Sequence, residues 1–262
     1  MPLTLRLHFT GPQSPGPFRH ADGLRALAYR WIAATDPALA DAIHETNAPK
    51  PLTLSPLSWE AGHAWVDVTL LAESLADAVA PALASVPPEV RLGQDRYLLQ
   101  RVEPVARASW EELLEPPAHL LRSVSLRLLT PTASHASGTL RKALPLPDPA
   151  IYYGAWARRW NAAIPWCGPD APPPAPADMT TLADERVAIS YLHGGTCEAM
   201  MGDRDRRFIG FVGTVRFAVL DPATLGVDEQ RWLATLSRFA TYCGTGVETL
   251  RGMGQTELTE PV

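Results

Sequence analysis

The residues whose spacing most clearly suggests chemistry form a glycine-rich run near the end of the chain. It contains two Gly-x-Gly units, Gly244-Thr-Gly246 and Gly252-Met-Gly254, with five residues between them. Glycine-rich turns can bring backbone N–H groups close to a phosphate, because no Cβ keeps the ligand away. The run therefore indicates either a contact with a phosphate or two tight turns that join neighbouring elements.

The elements around this run argue against the common nucleotide-binding loops. Apolar residues recur at helical spacing over 227–242, so the run follows a helix, and Gly244 would be its left-handed cap. A dinucleotide fingerprint or a P-loop instead follows a strand and opens a helix, and the run has no Gly-Lys-Ser/Thr. Residues 255–258 predict a short final strand.

Composition narrows the class of protein. The chain has 262 residues, 46% of them hydrophobic, which is enough for one large domain or two smaller ones. No apolar run approaches the ~20 residues of a bilayer span, and residues 1–19 begin as a strand, so we expect a cytoplasmic protein without a membrane partner. Three scattered cysteines and seven unpatterned histidines lead us to expect no metal site and no cofactor.

The charge of the chain limits how it could bind nucleic acid. A net charge of -5 argues against a protein that coats nucleic acid indiscriminately, because phosphate affinity comes largely from counterions released around Lys and Arg. A localised basic groove is still compatible with this charge. Of the 23 basic side chains, only Lys50 and Lys142 are lysines, so a compact ammonium at position 50 is unexpected in an arginine-rich chain.

A second stretch, nearer the start of the chain, gives the glycine run a context. Tyr29, His44 and Lys50 follow one another through a helical segment and into a predicted strand. With the terminal Gly252-Met-Gly254-Gln255, this order resembles the Cas-six family of CRISPR precursor-RNA endoribonucleases, in the RAMP superfamily. Thr130-Pro131-Thr132 and the strand after Gly210 match more loosely. The ordered set spans both ends of the chain and is more specific than any one motif.

The resemblance implies cleavage of precursor CRISPR RNA within its repeat, without a metal ion. In such a reaction the 2′-hydroxyl attacks the adjacent phosphorus and leaves a 2′,3′-cyclic phosphate and a 5′-hydroxyl. One group must take the 2′ proton, another must protonate the 5′ oxygen, and others must stabilise the phosphorane charge. By the resemblance, His44 is the general base or acid, Tyr29 orients the nucleophile or shares proton transfer, and Lys50 stabilises the phosphorane or the leaving oxygen.

Each of these residues also has an ordinary structural interpretation. A histidine near a helix C-terminus is favoured by the helix dipole, which explains His44 without catalysis. Tyr29 is also typical of an aromatic residue at the edge of a core, and Lys50 of a loop lysine.

Two other functions are compatible with the same sequence features. A non-catalytic RAMP subunit of a CRISPR effector complex would bind repeat RNA, but it needs no proton-transfer group. A metabolic enzyme or small-molecule binding protein should carry a cofactor motif, and the sequence contains none.

The resemblance further implies an RNA-binding surface. It includes the glycine run, where Glu248 weakens the case for direct phosphate contact, and two basic stretches at 203–207 and 134–142. Each stretch is also explained as a solvated hairpin or loop. The predicted RNA contacts are Gly244, Gly246, Arg251, Gly252, Gly254, Arg204, Arg206, Arg207, Arg141 and Lys142.

The helices and strands that would position these residues are predicted in the same order in each half of the chain. In the first half the pattern predicts a strand over 3–9, helices over 20–34 and 37–44 with Asp36 as N-cap, strands over 52–57 and 63–71, a helix over 74–84 and a strand-rich segment over 91–105. The second half follows a proline-rich junction at 115–117. It comprises a strand over 120–129, a helix over 150–163, an extended loop over 170–178, strands over 187–201 and 208–219, and the final helix and strand.

The order strand, helix, strand, strand, helix, strand is that of a ferredoxin-like domain. From this order, and from the resemblance to a family whose members carry two such domains, we predict an α+β fold of two tandem ferredoxin-like (RRM-like, RAMP) domains. Residues 1–115 would carry the catalytic residues, and residues 116–262 the glycine run. The predicted partner is CRISPR repeat RNA, both precursor and mature crRNA. The resemblance is also compatible with binding to CRISPR effector subunits and with a homodimer.

Overall fold

Two antiparallel sheets organise the computed structural model of the chain, which describes residues 1–14, 16–85, 89–135, 143–202, 206–260 and 262. The strands of the first sheet lie between residues 3 and 107, and those of the second between residues 123 and 258. Within the described ranges, no helix combines the length and apolar character that a membrane span requires.

The first sheet places its earliest strand in the centre. Its elements and the short helix after them are β1 (Leu3–Thr10), α1 (Ala21–Thr35), α2 (Pro37–Glu45), β2 (Leu52–Leu54), β3 (Ser58–Glu60), β4 (His63–Leu70), α3 (Glu73–Ser85), β5 (Glu89–Leu92), β6 (Asp95–Arg107) and α4 (Trp110–Leu114). The strand order is β2-β4-β1-β6-β5, and β3 extends the pairing of β4. Because β1 lies between β4 and β6, the sheet has the interleaving of a ferredoxin-like domain.

The second sheet repeats this arrangement. Its elements are β7 (Ser123–Thr132), α5 (Pro149–Ala163), α6 (Met179–Arg186), β8 (Val187–Met201), β9 (Arg206–Val219), α7 (Val227–Cys243) and β10 (Thr256–Leu258). The strand order is β10-β7-β9-β8, so β7 again lies between the last strand and the third. The predicted α+β fold of two tandem ferredoxin-like domains is confirmed.

The alternation in β1 decides which face of the first sheet is covered. Leu5, Leu7 and Phe9 are buried in the core cluster that also holds the apolar face of α1. Arg6 points to the opposite face, where its Nε lies 2.7 Å from Oδ1 of Asp67 on the neighbouring strand. The helices therefore cover one face of the sheet, and polar pairs occupy the other.

The structure differs from the sequence-based elements in several places. β2 ends at Leu54 instead of continuing to 57, because Pro56 has no N–H for the strand ladder. The short helices α4 and α6 were not predicted. Trp110 of α4 packs edge-to-face on Trp160 of α5, with the ring centroids 4.9 Å apart, so α4 is held by the helices of the second sheet.

The proline-rich loop before α6 is fixed to α5 by side-chain hydrogen bonds. The Trp160 indole N–H donates to the Pro173 carbonyl at 2.9 Å. The Asn161 amide both donates to and accepts from the backbone of Ala175, at 3.1 and 2.7 Å. These bonds replace the backbone partners that a segment without helix or strand lacks.

A buried tyrosine predicts how stability depends on alkaline pH. Tyr97 is fully buried and its hydroxyl lies 3.1 Å from Nε2 of His20. Burial, and then the Asp95 carboxylate, raise the pKa of Tyr97 to about 12. Because the unfolded phenol loses its proton near pH 10, this stabilisation is fully present below pH ~10 and is lost as the pH rises through about 12. We expect this contribution of Tyr97 to the free energy of unfolding to amount to about 2 kcal/mol.

Urea unfolding between pH 8 and pH 11.5 checks this expectation in wild type and in Tyr97→Phe. The wild type should lose more free energy of unfolding across this range than the variant, because the variant has no hydroxyl to ionise. Buried Tyr152 and Tyr153 act alike in both proteins, so equal slopes would show that Tyr97 does not contribute.

Candidate active site

The connection between α1 and α2 brings Tyr29 and His44 together. Asp36 ends α1 by donating its N–H to the Ile32 carbonyl at 2.8 Å, and it begins α2 by accepting the Leu39 N–H on its carboxylate at 2.9 Å. The chain therefore reverses within one residue. The rings of Tyr29 and His44 meet edge-to-face, with centroids 5.7 Å apart and an interplanar angle of 75°.

The two rings differ in their access to solvent. His44 is exposed in the last turn of α2, whereas Tyr29 is half-buried on α1. Burial raises the pKa of Tyr29, and the positive charge of Arg25 acts in the opposite direction. Tyr29 is therefore a neutral phenol near pH 7, able to donate a hydrogen bond, and the exposed ring of His44 is open to a ligand at the surface.

Lys50 lies beside these two residues, but its ammonium group faces backbone carbonyls. Nζ donates to the carbonyls of Ile43 at 2.7 Å, His44 at 3.0 Å and Thr46 at 2.5 Å. An ammonium has three N–H donors, so these bonds use all of them. Burial first, and then the charge of Arg25, lower the pKa of Lys50. Lys50 caps the C-terminus of α2 and fixes the backbone that carries His44.

The glycine run consists of two tight turns packed against each other. Gly244, Gly246, Gly252 and Gly254 all have positive φ, between 67° and 87°. The Thr245 N–H donates to the Gly254 carbonyl at 2.8 Å, and the Gly254 N–H donates to the Pro131 carbonyl at 3.2 Å. A Cβ on Gly254 would lie 1.8 Å from the Thr245 carbonyl oxygen. The run needs glycine because of this close backbone packing and the left-handed conformation.

The same run forms the joint between the two sheets. A Cβ on Gly252 would lie 2.6 Å from the nitrogen of Pro56, which follows β2 of the first sheet. The Gln255 amide donates to the Leu54 carbonyl at 3.0 Å, and the Thr53 hydroxyl donates to the Tyr242 carbonyl at 3.0 Å. The glycine run therefore sets the position of the second domain against β2.

Arg159 of α5 holds the run through side-chain hydrogen bonds, although no sequence motif includes this residue. One guanidinium nitrogen donates to the Cys243 carbonyl at 3.0 Å and to the Thr249 hydroxyl at 2.8 Å, and the other donates to the Gly246 carbonyl at 2.6 Å. Its helical spacing from Trp156, three residues earlier, was the one available signal that Arg159 faces inward.

The predicted RNA contacts near the run are partly engaged in ion pairs. Arg251 Nε lies 2.7 Å from Oδ1 of Asp22 on α1, and Arg251 also pairs with Glu248. Arg206 pairs with Glu248 as well. The hydrogen bond from Arg251 is the main reason why the pKa of Asp22 is lowered. These bonds join α1 to the second domain.

Of the other predicted RNA contacts, only Arg207 lies within the described residues. Arg207 lies on the exposed start of β9, with Nε 3.0 Å from the Glu198 carboxylate on β8. Arg204, Arg141 and Lys142 lie outside the described residues. The structure thus brings together Tyr29, His44 and Lys50 in one cluster, and the glycines with Arg251 and Arg206 in another.

Comparisons with known proteins show which family has this arrangement. The family model described as CRISPR-associated endoribonuclease Cas6 matches residues 126–256, which is half of the chain. No curated protein matches the chain.

Solved structures match almost the whole chain. A product complex of Thermus thermophilus Cas6 is 25% identical, with a TM-score of 0.82, and the match covers 98% of this chain and 100% of that one. A product complex of a second Cas6 protein is 26% identical, with a TM-score of 0.77, over 99% of both chains. A substrate-mimic complex of that second protein is 26% identical, with a TM-score of 0.74, over 98% of both chains.

The match to the family model includes most of the second domain and the glycine run, and the structural matches cover nearly the whole chain. The family resemblance seen in the sequence is therefore confirmed. This chain belongs to the Cas6 family of CRISPR-associated endoribonucleases.

Proposed function

We propose that this protein cuts precursor CRISPR RNA within its repeat, by metal-independent attack of a ribose 2′-hydroxyl on the adjacent phosphorus. The observation that carries the proposal is the edge-to-face contact of Tyr29 and His44 at a surface, with the Lys50 cap next to it. Related Cas6 structures that hold a product or a substrate mimic support an RNA substrate.

The reaction requires two proton transfers and no change of oxidation state. The 2′-hydroxyl gives its proton to a base as its oxygen bonds to phosphorus, and the bond from phosphorus to the 5′ oxygen breaks. That oxygen takes a proton from an acid, which leaves a 2′,3′-cyclic phosphate and a 5′-hydroxyl. His44 performs one of the two transfers, because imidazole exchanges protons near neutral pH.

Tyr29 and Lys50 assist His44 in different ways. The neutral phenol of Tyr29 donates a hydrogen bond that orients the attacking group or shares in the second transfer. Lys50 adds positive charge beside His44 and holds the last turn of α2 in place through its three carbonyl contacts. In this scheme residues 1–115 supply the catalysis.

The second domain, residues 116–262, binds the repeat in this proposal. Arg206 and the glycine run lie close to α1, because Arg251 pairs with Asp22 and shares Glu248 with Arg206, and Arg207 stays a predicted RNA contact. Arg204, Arg141 and Lys142 remain predicted RNA contacts. A cytoplasmic location, binding to CRISPR effector subunits and a homodimer also stay predictions.

Incubation with the cognate repeat RNA in excess EDTA tests the proposal. We expect site-specific cleavage that EDTA does not slow, because no step needs a metal ion. The rate without EDTA, with added Mg²⁺, is the matched control. Binding without cleavage in both conditions would instead favour the non-catalytic RAMP subunit, and cleavage that EDTA abolishes would contradict the metal-independent mechanism.

A further inference from the structure

Negative charge builds up on the phosphorane during the reaction, and groups with free hydrogen-bond donors, best of all a cation, stabilise it. Lys50 is poorly placed for this contact, because each of its three N–H groups already donates to a carbonyl. A direct contact with phosphate would cost it at least one of these bonds. The charge of the phosphorane therefore calls for another cation near Tyr29 and His44.

Arg25 is the cation whose position in α1 meets this requirement. It precedes Tyr29 by four residues and follows Asp22 by three, so all three lie on one face of the helix. Arg25 is half-buried, and among the described residues its side chain forms no hydrogen bond and no ion pair. Its charge acts on three neighbours, since it adds to the fall in the pKa of Asp22, opposes the rise in the pKa of Tyr29 and adds to the fall in the pKa of Lys50.

Arg25 also lines a basic cavity between the two domains. The cavity has a volume of about 470 Å³, and its arginines are Arg19, Arg25, Arg206 and Arg251. Asp22 and Glu248 already pair with Arg251, and Glu248 also pairs with Arg206. Arg25 thus lines the cavity and stands four residues before Tyr29 on the same face of α1, within reach of a phosphate bound between them.

We propose that Arg25 is a catalytic residue that contacts the non-bridging oxygens of the scissile phosphate and stabilises the phosphorane, and that Lys50 is a positioning residue. This inference rests on the function proposed above. A guanidinium suits the role because it keeps its charge at all working pH values and offers two parallel N–H donors to one phosphate. No proton is transferred to or from Arg25, so the two transfers stay with the groups named before.

Single-turnover cleavage of repeat RNA by Arg25→Ala tests the inference. Removing one donor to a transition-state charge commonly costs about 10²- to 10³-fold in rate, and we expect a loss of this size. Affinity for an uncleavable RNA with a 2′-deoxy nucleotide at the scissile position should fall less than about tenfold, because the contact strengthens in the transition state. Added guanidinium ion should restore part of the rate.

Arg30→Ala is the matched control, because Arg30 is an exposed arginine five residues further along the same helix. It should cut at close to the wild-type rate and should show no response to guanidinium. If Arg25→Ala does not fold, Arg25→Lys decides the matter, because it keeps the stem and the charge but not the paired donors. A loss of about tenfold in that variant supports the inference, and an unchanged rate overturns it.

The outcomes separate this inference from the proposed function. If the wild type does not cut RNA in EDTA, the proposed function fails and the phosphorane contact, which rests on it, is overturned with it. If the wild type cuts and Arg25→Ala cuts equally fast, or loses affinity for the deoxy RNA in proportion to its rate, the phosphorane contact is overturned and the proposed function stands. Loss of rate with guanidinium rescue supports both.

Discussion

Replacing His44 by alanine is expected to lower the single-turnover rate of RNA cleavage by about 10²- to 10⁴-fold, the usual contribution of a positioned general acid or base. The side chain is exposed, and its ring meets that of Tyr29 edge-to-face without filling a core position. Its loss should therefore leave the fold and the affinity for RNA nearly unchanged. The measurement is cleavage under enzyme excess, together with binding to a 2′-deoxy RNA.

His119→Ala supplies the control for this experiment. His119 is also exposed but lies in the segment before β7. This variant should cut at the wild-type rate. A His44→Ala variant that cuts as fast as His119→Ala would show that the proton transfers take place elsewhere, even if both variants bind RNA normally.

Replacing Gly254 by alanine is expected to destabilise the protein by about 3 kcal/mol or more. The new Cβ would lie 1.8 Å from the Thr245 carbonyl oxygen, and φ is +70°, where an L residue is strained. The neighbouring backbone cannot move away easily, because the Thr245 N–H is bonded to the Gly254 carbonyl itself. Urea unfolding followed by circular dichroism gives the change in free energy.

Gly195→Ala is the matched glycine control. Among the described residues, a Cβ at position 195 would meet no atom within 4 Å. We expect a change within about 0.5 kcal/mol, as for ordinary surface substitutions. If Gly254→Ala were equally mild, the glycine run could not be the rigid joint between the domains that its contacts indicate.

The sequence predicted those parts of the fold that follow from local patterns. β8 was placed over 187–201, which are its bounds in the structure, and the Asp36-Pro37 start of α2 was recognised from its capping chemistry. The ferredoxin-like order followed from these elements. The short helix α4 was missed because tertiary contacts hold it, such as that of Trp110 with Trp160.

The candidate site was predictable in its residue types but not in its contacts. Tyr29 and His44 are predicted through the family resemblance that their order carries, yet no pattern shows that Lys50 donates to three carbonyls. The pair of Arg251 with Asp22 joins residues 229 positions apart, which no local rule can reach. The spacing of Arg25 from Tyr29 was visible, but one arginine among many has no distinguishing signal.

The glycine run shows how one pattern can have two explanations. The sequence allowed a phosphate contact or two tight turns, and the structure contains the turns, packed against Pro56 and Thr245. Contact between the run and RNA stays a prediction. The structure is compatible with it, because the backbone hydrogen bonds of Thr245 and Gly254 do not involve every N–H of the segment.

The most direct test of the account is to replace the 2′-hydroxyl at the scissile position of the repeat RNA by hydrogen and to measure cleavage by the wild-type protein in EDTA. The account predicts normal binding and no cleavage, because the nucleophile has been removed, while the all-ribose RNA yields a 5′ fragment that ends in a cyclic phosphate by mass spectrometry. Cleavage of the deoxy RNA, or a fragment that ends in a free 3′-hydroxyl, would contradict it.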